Sequence, residues 1–207
     1  GYPVGGSASG QPRAIQFNNS DSAGRPVEIK NNIISDNGFE QFGGAVGIYT
    51  RLANVDSVVS GNQITLTSGV SWADPGSQAV GMILGWSYEQ GFLAENNEIN
   101  MTKYGIGIMV HGSGSETNPL ILEGNTITST SSAANEPSDG SGLYVSNEYL
   151  FYPADTSPSY VKIQEGNSIN GFVTGVNLTN LSASGQAVTI IAEFNKIFNN
   201  TKHVSTT

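Results

Sequence analysis

The stretch Ser60-Gly61-Asn62-Gln63-Ile64 contains a phrase, Asn-x-Ile, on which the reading of the whole chain turns. The phrase returns at Asn32-Ile33-Ile34, Asn97-Glu98-Ile99, Asn125-Thr126-Ile127, Asn167-Ser168-Ile169 and Asn195-Lys196-Ile197, usually after Gly or Asn. The steps between these asparagines are 30, 35, 28, 42 and 28 residues. Self-similarity on that scale marks repeat architectures. Between the copies stands a second marker, Gly followed by alternating apolar residues: Gly47-Ile48-Tyr49, Gly81-Met82-Ile83-Leu84, Gly105-Ile106-Gly107-Ile108, Gly142-Leu143-Tyr144-Val145 and Gly175-Val176-Asn177-Leu178. A third is a short apolar, mostly β-branched run before the Asn, as in Val55 to Val59, Leu120-Ile121-Leu122, Val161-Lys162-Ile163 and Val188 to Ile191. The order run, Asn turn, Ile strand, Gly turn, apolar strand never changes.

Each repeat therefore carries three short strands, none long enough to bury a face alone. Stacked on copies of themselves they bury a continuous core, each coil covering the next. Three parallel strands per turn, about 4.8 Å from coil to coil, make a parallel β-helix. The fold expected is all-β, a right-handed parallel β-helix of about six coils with long loops on one edge. The alternative is a two-sheet sandwich. In the stacked reading Asn32, Asn62, Asn97, Asn125, Asn167 and Asn195 form a structural ladder. Each is expected to tolerate left-handed φ and to hydrogen-bond its equivalents above and below. Gly is expected to supply an unusual backbone angle at the second bend.

These repeats resemble the right-handed parallel β-helix repeats of the pectate-lyase-like superfamily, from about Val27 to Asn200. The resemblance implies the architecture; superfamily members include polysaccharide lyases, glycosidases, phage tailspikes and surface proteins. It describes a scaffold, not a site. The domain division expected is a Gly/Ser-rich segment or partial coil over 1–26 and the β-helix over 27–207.

Composition agrees with many turns and few helices. The 207 residues include 26 Gly and 21 Asn, and only 12% are charged. Eight Lys+Arg stand against 17 Asp+Glu, a formal charge of −9. Without a basic patch to neutralise phosphates, nucleic acid is not an expected partner. No apolar run is long enough to cross a membrane as a helix. With no Cys there is no disulfide framework and no thiolate chemistry. A chain that starts at Gly1 reads as a processed or excised segment.

Long connections fall at about 35–45, 67–79 and 129–141, all at one corner, with a further insertion at about 146–159. Counting past each marker Gly (47, 81, 105, 142, 175) brings Trp86, Tyr88, His111, Glu148 and Tyr149 together across three coils. Trp72, Phe151 and Tyr152 sit in nearby loops. Flat rings beside a carboxylate and a His suit a sugar, so Trp86, Tyr88 and Tyr149 are carbohydrate-binding candidates. His111 and Glu148 are the catalytic candidates, as a general acid–base pair. The bland reading is that the aromatics cover the end of the core.

Against an enzyme stand several absences. The paired carboxylates of glycoside hydrolysis are not evident. The Asn-Thr-Asp, Asp-Asp, Gly-His-Gly and Arg-Ile-Lys segments of polygalacturonase-like relatives do not occur. Arg occurs only at 13, 25 and 51, and a charge of −9 disfavours an anionic polymer. No metal or other cofactor is expected. Acidic or carbonyl-rich loops such as Ala73-Asp74-Pro75-Gly76 and Glu136-Pro137-Ser138-Asp139-Gly140 could hold Ca²⁺, but they read first as turns. The leading function is an extracellular or cell-surface structural and adhesive module of a surface protein or filament, able to touch a polysaccharide. A carbohydrate-active enzyme, lyase or glycosidase, is the alternative. Because the last repeat carries no evident cap, head-to-tail self-association or continuation in a longer chain is expected.

Overall fold

The computed structural model describes residues 13–19, 26–35, 45–66, 79–88, 90–101, 105–129, 140–149, 152–179, 187–190 and 194–206. Their strands form three parallel sheets and one hairpin. Sheet 1 has seven strands: Arg13–Asn18, Val46–Arg51, Ala79–Gly85, Gly105–His111, Ser141–Ser146, Thr174–Thr179 and Lys202–Thr206. Sheet 2 has six: Glu28–Lys30, Val58–Ser60, Leu93–Glu95, Leu120–Glu123, Tyr160–Ile163 and Ala187–Ile190. Sheet 3 also has six: Ile33–Ser35, Gln63–Leu66, Glu98–Met101, Thr126–Ser129, Ser168–Asn170 and Lys196–Phe198. The chain visits sheets 1, 2 and 3 in turn and then repeats, so every strand pairs with its equivalent one coil away. This is a parallel β-helix. Arg13–Asn18 pairs with Val46–Arg51, so the stack already includes this early segment.

The six asparagines occupy the bend between sheets 2 and 3. The backbone N–H and Nδ2 of Asn62 both donate to Asn97 Oδ1, at 3.1 and 2.9 Å. Asn97 does the same to Asn125 at 3.1 and 3.0 Å, and Asn125 to Asn167 at 3.0 and 3.1 Å. Asn32 donates in this way to Asn62, and Asn167 to Asn195. Each interior Nδ2 also reaches back to a carbonyl of the previous coil, as Asn97 does to Val59 O at 2.9 Å. The expected left-handed backbone, however, belongs to the residue before the ladder Asn in five of the six coils. Asn31, Gly61, Asn96, Gly124 and Gly166 have φ of 56, 64, 52, 63 and 81°. That assignment resolves why Gly or Asn stands before the phrase: the turn needs one residue without a left-handed penalty, and the next residue supplies the amide.

The ladder places the following Ile inward. Ile64, Ile99, Ile127 and Ile169 are almost fully buried. Each presses its Cγ2 toward the marker Gly of the preceding coil. A Cβ on Gly81 would lie 2.6 Å from Ile99 Cγ2 and 2.5 Å from Gly107 O, and Gly47 and Gly175 are crowded in the same way. None of these glycines has a positive φ. Their cause is close approach, not the unusual angle expected from sequence. With Val59, Ala94, Leu122 and Ile163 from sheet 2 and Met82, Ile108, Leu143 and Val176 from sheet 1, these residues fill one core. Each fully buried side chain contributes about 1.5–3 kcal/mol.

The register also corrects the count past Gly. Met82 pairs with Ile108 and Ile108 with Leu143, so the equivalent of Gly81 and Gly142 is Gly107, not Gly105. A two-residue slip in that coil moves every residue assigned beside His111. The three long connections run from sheet 3 to sheet 1, but 36–44, 67–78 and 130–139 lie outside the described residues. The insertion after Ser146 carries an antiparallel hairpin, Glu148–Tyr149 with Tyr152–Thr156.

Candidate functional site

Side chains alternate across a strand, and in sheet 1 both faces are apolar. Met82 and Leu84 point into the coil, while Val80 and Ile83 point outward. Yet Val46, Tyr49, Val80, Ile83, Trp86, Ile106 and Met109 form a second buried cluster on that outer face, with Tyr144 against it. The strands Ala79–Gly85 and Gly105–His111 are buried at every position.

Aromatic and cationic side chains line one margin of this cluster. Tyr49 and Trp86 have ring centroids 5.8 Å apart. Trp86 meets His111 edge-on at 5.1 Å and 70°. The Arg13 guanidinium carbon lies 3.8 Å from the Tyr49 centroid, and that of Arg51 lies 5.7 Å from Trp86. Such cation–π contacts contribute about 0.5–2 kcal/mol each. The corner that follows is left-handed in three consecutive coils, with φ of 57° at Leu52, 52° at Trp86 and 56° at Gly112. Gly accepts that angle freely; Leu and Trp take it at a cost of about 1–2 kcal/mol each. Trp86 is thus held in a strained backbone by its packing.

The structure separates the residues that the sequence grouped. His111 pairs in register with Gly85 and Ser146, and its Nδ1 lies 3.3 Å from Ser146 O. Glu148 lies two residues beyond Ser146, in the hairpin arm opposite Thr156, so it is not the register neighbour of His111. His111 is 0% exposed and cannot reach a polymer in solvent. Trp86 is 6% exposed, its surroundings taken by Tyr49, His111 and Arg51, so it is a packing ring and not an open stacking platform. Tyr88, at 45% exposed and φ 47°, does face solvent. Tyr149 pairs with Tyr152 in the hairpin. Trp72, Phe151 and the first acidic turn, Ala73–Gly76, lie outside the described residues, as does all of the second but Gly140. Among the described residues no three His, Asp or Glu side chains gather as a metal site.

What the sequence did not single out is the convergence of Arg13, Tyr49 and Arg51. The signal was present, since Arg51 stands four residues past Gly47 as His111 stands four past Gly107. Arg13, however, lies before the first marker Gly, so no count past a Gly reaches it.

The sequence matches the family described as right handed beta helix region over residues 11–150. No curated protein and no solved structure matches the chain.

Proposed function

The chain belongs to the right-handed β-helix family, and on that premise we propose that it is an extracellular structural and adhesive module, a stiff rod that contacts polysaccharide without cleaving it. One observation carries this reading. The residues that recur from coil to coil, the Asn file and the Gly–Ile contacts, form an unbroken spine through the stack. Seven strands in sheet 1 at about 4.8 Å spacing give a rod roughly 30 Å long. The burial of His111 favours a scaffold over an acid–base catalyst. Incubated with a panel of neutral and acidic polysaccharides, the chain is expected to release no reducing ends and no unsaturated products. Sustained release, lost in Glu148→Gln, would establish the enzyme instead.

The spine also has a direction. Five of the six ladder Asn donate toward the later coil, so successive coils meet donor to acceptor. In the coil of 194–206, Val204 is 46% exposed where its register equivalents Val176 and Leu143 are buried. A second copy stacked head-to-tail, or further chain, would extend all three sheets in the same sense. Sedimentation velocity is expected to show concentration-dependent elongation that Val204→Glu abolishes. A monomer at all concentrations would remove self-stacking.

A further inference from the structure

Arg13 begins the first strand of sheet 1 in register with Val46, and Arg51 ends the second, in register with Asn18 and Gly85. Tyr49 and Trp86 lie beneath them, 5.8 Å apart. Two of the chain's three arginines therefore share one small patch of one sheet face.

The chain has 17 acidic residues against 8 Lys+Arg, yet among the described residues a carboxylate partner is the exception for a cation. Among the described residues Lys30 pairs with Glu28, but neither Arg13 nor Arg51 has an acidic partner. Arg13 Nε is buried and has no hydrogen-bond partner among the described residues. Instead each guanidinium rests on a ring, which restrains the long side chain before any ligand arrives. Preorganisation of this kind lowers the entropy lost on binding. A guanidinium fork matches planar or trigonal oxyanions and is more weakly hydrated than an ammonium. Beside the pair, Gln16 and Asn18 are exposed on the same face, in register with Tyr49 and Arg51.

We propose that Arg13 and Arg51, seated on the buried rings of Tyr49 and Trp86, form a binding site for an oxyanion, the carboxylate or sulfate group of an acidic glycan, with Gln16 and Asn18 facing its hydroxyls. The site deepens the glycan-contacting reading and rests on it. The total charge of −9 does not exclude it. Screening reduces charges beyond about 8 Å at physiological salt, so two guanidiniums at contact outweigh acids scattered over the rod. The charge does slow approach at low salt.

The test compares dextran sulfate, carboxymethyl-dextran and uncharged dextran of one length by calorimetry and by the fluorescence of Trp86, one of two tryptophans. Both charged polymers, or one of them, are expected to bind at least tenfold more tightly than dextran; the preferred one identifies the group. The R13Q/R51Q double variant is expected to lose about tenfold or more, the scale of a lost charge-assisted contact. Lys162→Gln serves as the control and is expected to bind as the unaltered chain does. Sulfate ion is expected to displace the bound polymer better than chloride at equal ionic strength, a readout needing no variant. Equal binding of uncharged dextran, retained affinity in R13Q/R51Q, or equal displacement by chloride overturns the proposal. Failure here with elongation intact removes the anion site alone; binding with product release removes the non-enzymatic reading and leaves the site.

Discussion

Asn97→Ala is expected to lower the stability of the chain by about 4 kcal/mol, more than any substitution of an Asn on the outer faces. Asn97 is buried, accepts from Asn62 N–H and Nδ2, and donates to Val59 O and Asn125 Oδ1. Truncation leaves two donors of Asn62 and the Val59 carbonyl short of partners inside the stack. Each such group costs about 1–3 kcal/mol, partly offset because Asn62 Nδ2 keeps Ile29 O. Asn97→Asp is expected to cost as much or more at neutral pH. It exchanges the Nδ2 donor for a charged oxygen facing two acceptors, and a buried unpaired charge is unfavourable. Asn100→Ala is the control: its amide reaches only Glu98 Oε1, 3.0 Å away at the surface, and its loss should stay within about 0.5 kcal/mol. Urea unfolding followed by fluorescence checks all three. A ladder that merely decorated the turn would give Asn97→Ala and Asn100→Ala equal midpoints.

The same residues explain why the fold was legible in the sequence and the site was not. A stacking position must satisfy identical neighbours above and below, so it repeats its residue type, and the repeats at 28–42 residues expose it. The turn residue before each Asn was visible as well, yet Asn31 and Gly61 look alike to a left-handed backbone, and only φ assigns the role. Site residues obey no such rule. Arg51, Gly85, His111 and Ser146 share one file and no chemistry. Their grouping depends wholly on register. The segment Gly105-Ile106-Gly107-Ile108 offers two glycines with the same flanking pattern, and a slip of two keeps the inward–outward alternation intact. Sequence periodicity cannot detect that slip. Crowding can: a Cβ on Gly107 meets the next coil's Ile127 and Gly142 O, as marker glycines do, whereas one on Gly105 meets Met101 and Ala79 O.

That distinction gives the second large effect. Gly107→Ala is expected to destabilise the chain by about 3 kcal/mol, at the upper end for inserting one methyl into a packed core. The new Cβ would lie 2.5 Å from Gly142 O and closer still to Ile127 Cγ2. The carbonyl belongs to the sheet 1 ladder and cannot turn away without breaking its pairing, while φ at Gly107 is not in the left-handed region, so the cost is steric. Gly85→Ala, on the outer face of the same sheet, meets only His111 O at 3.3 Å and Ile83 Cγ2 at 3.9 Å, and should change stability by less than about 1 kcal/mol. The partner of the clash can be isolated by a double-mutant cycle. Ile127→Ala alone opens a cavity and costs about 2–5 kcal/mol. In the double variant the methyl at 107 enters the space that Ile127 vacated, so the two losses should fall short of their sum by about 1–2 kcal/mol. Recovery stays partial because Gly142 O remains in place. Strict additivity would mean that Gly107 and Ile127 do not touch, and with that contact would go the coupling between coils on which the stiffness of the rod depends.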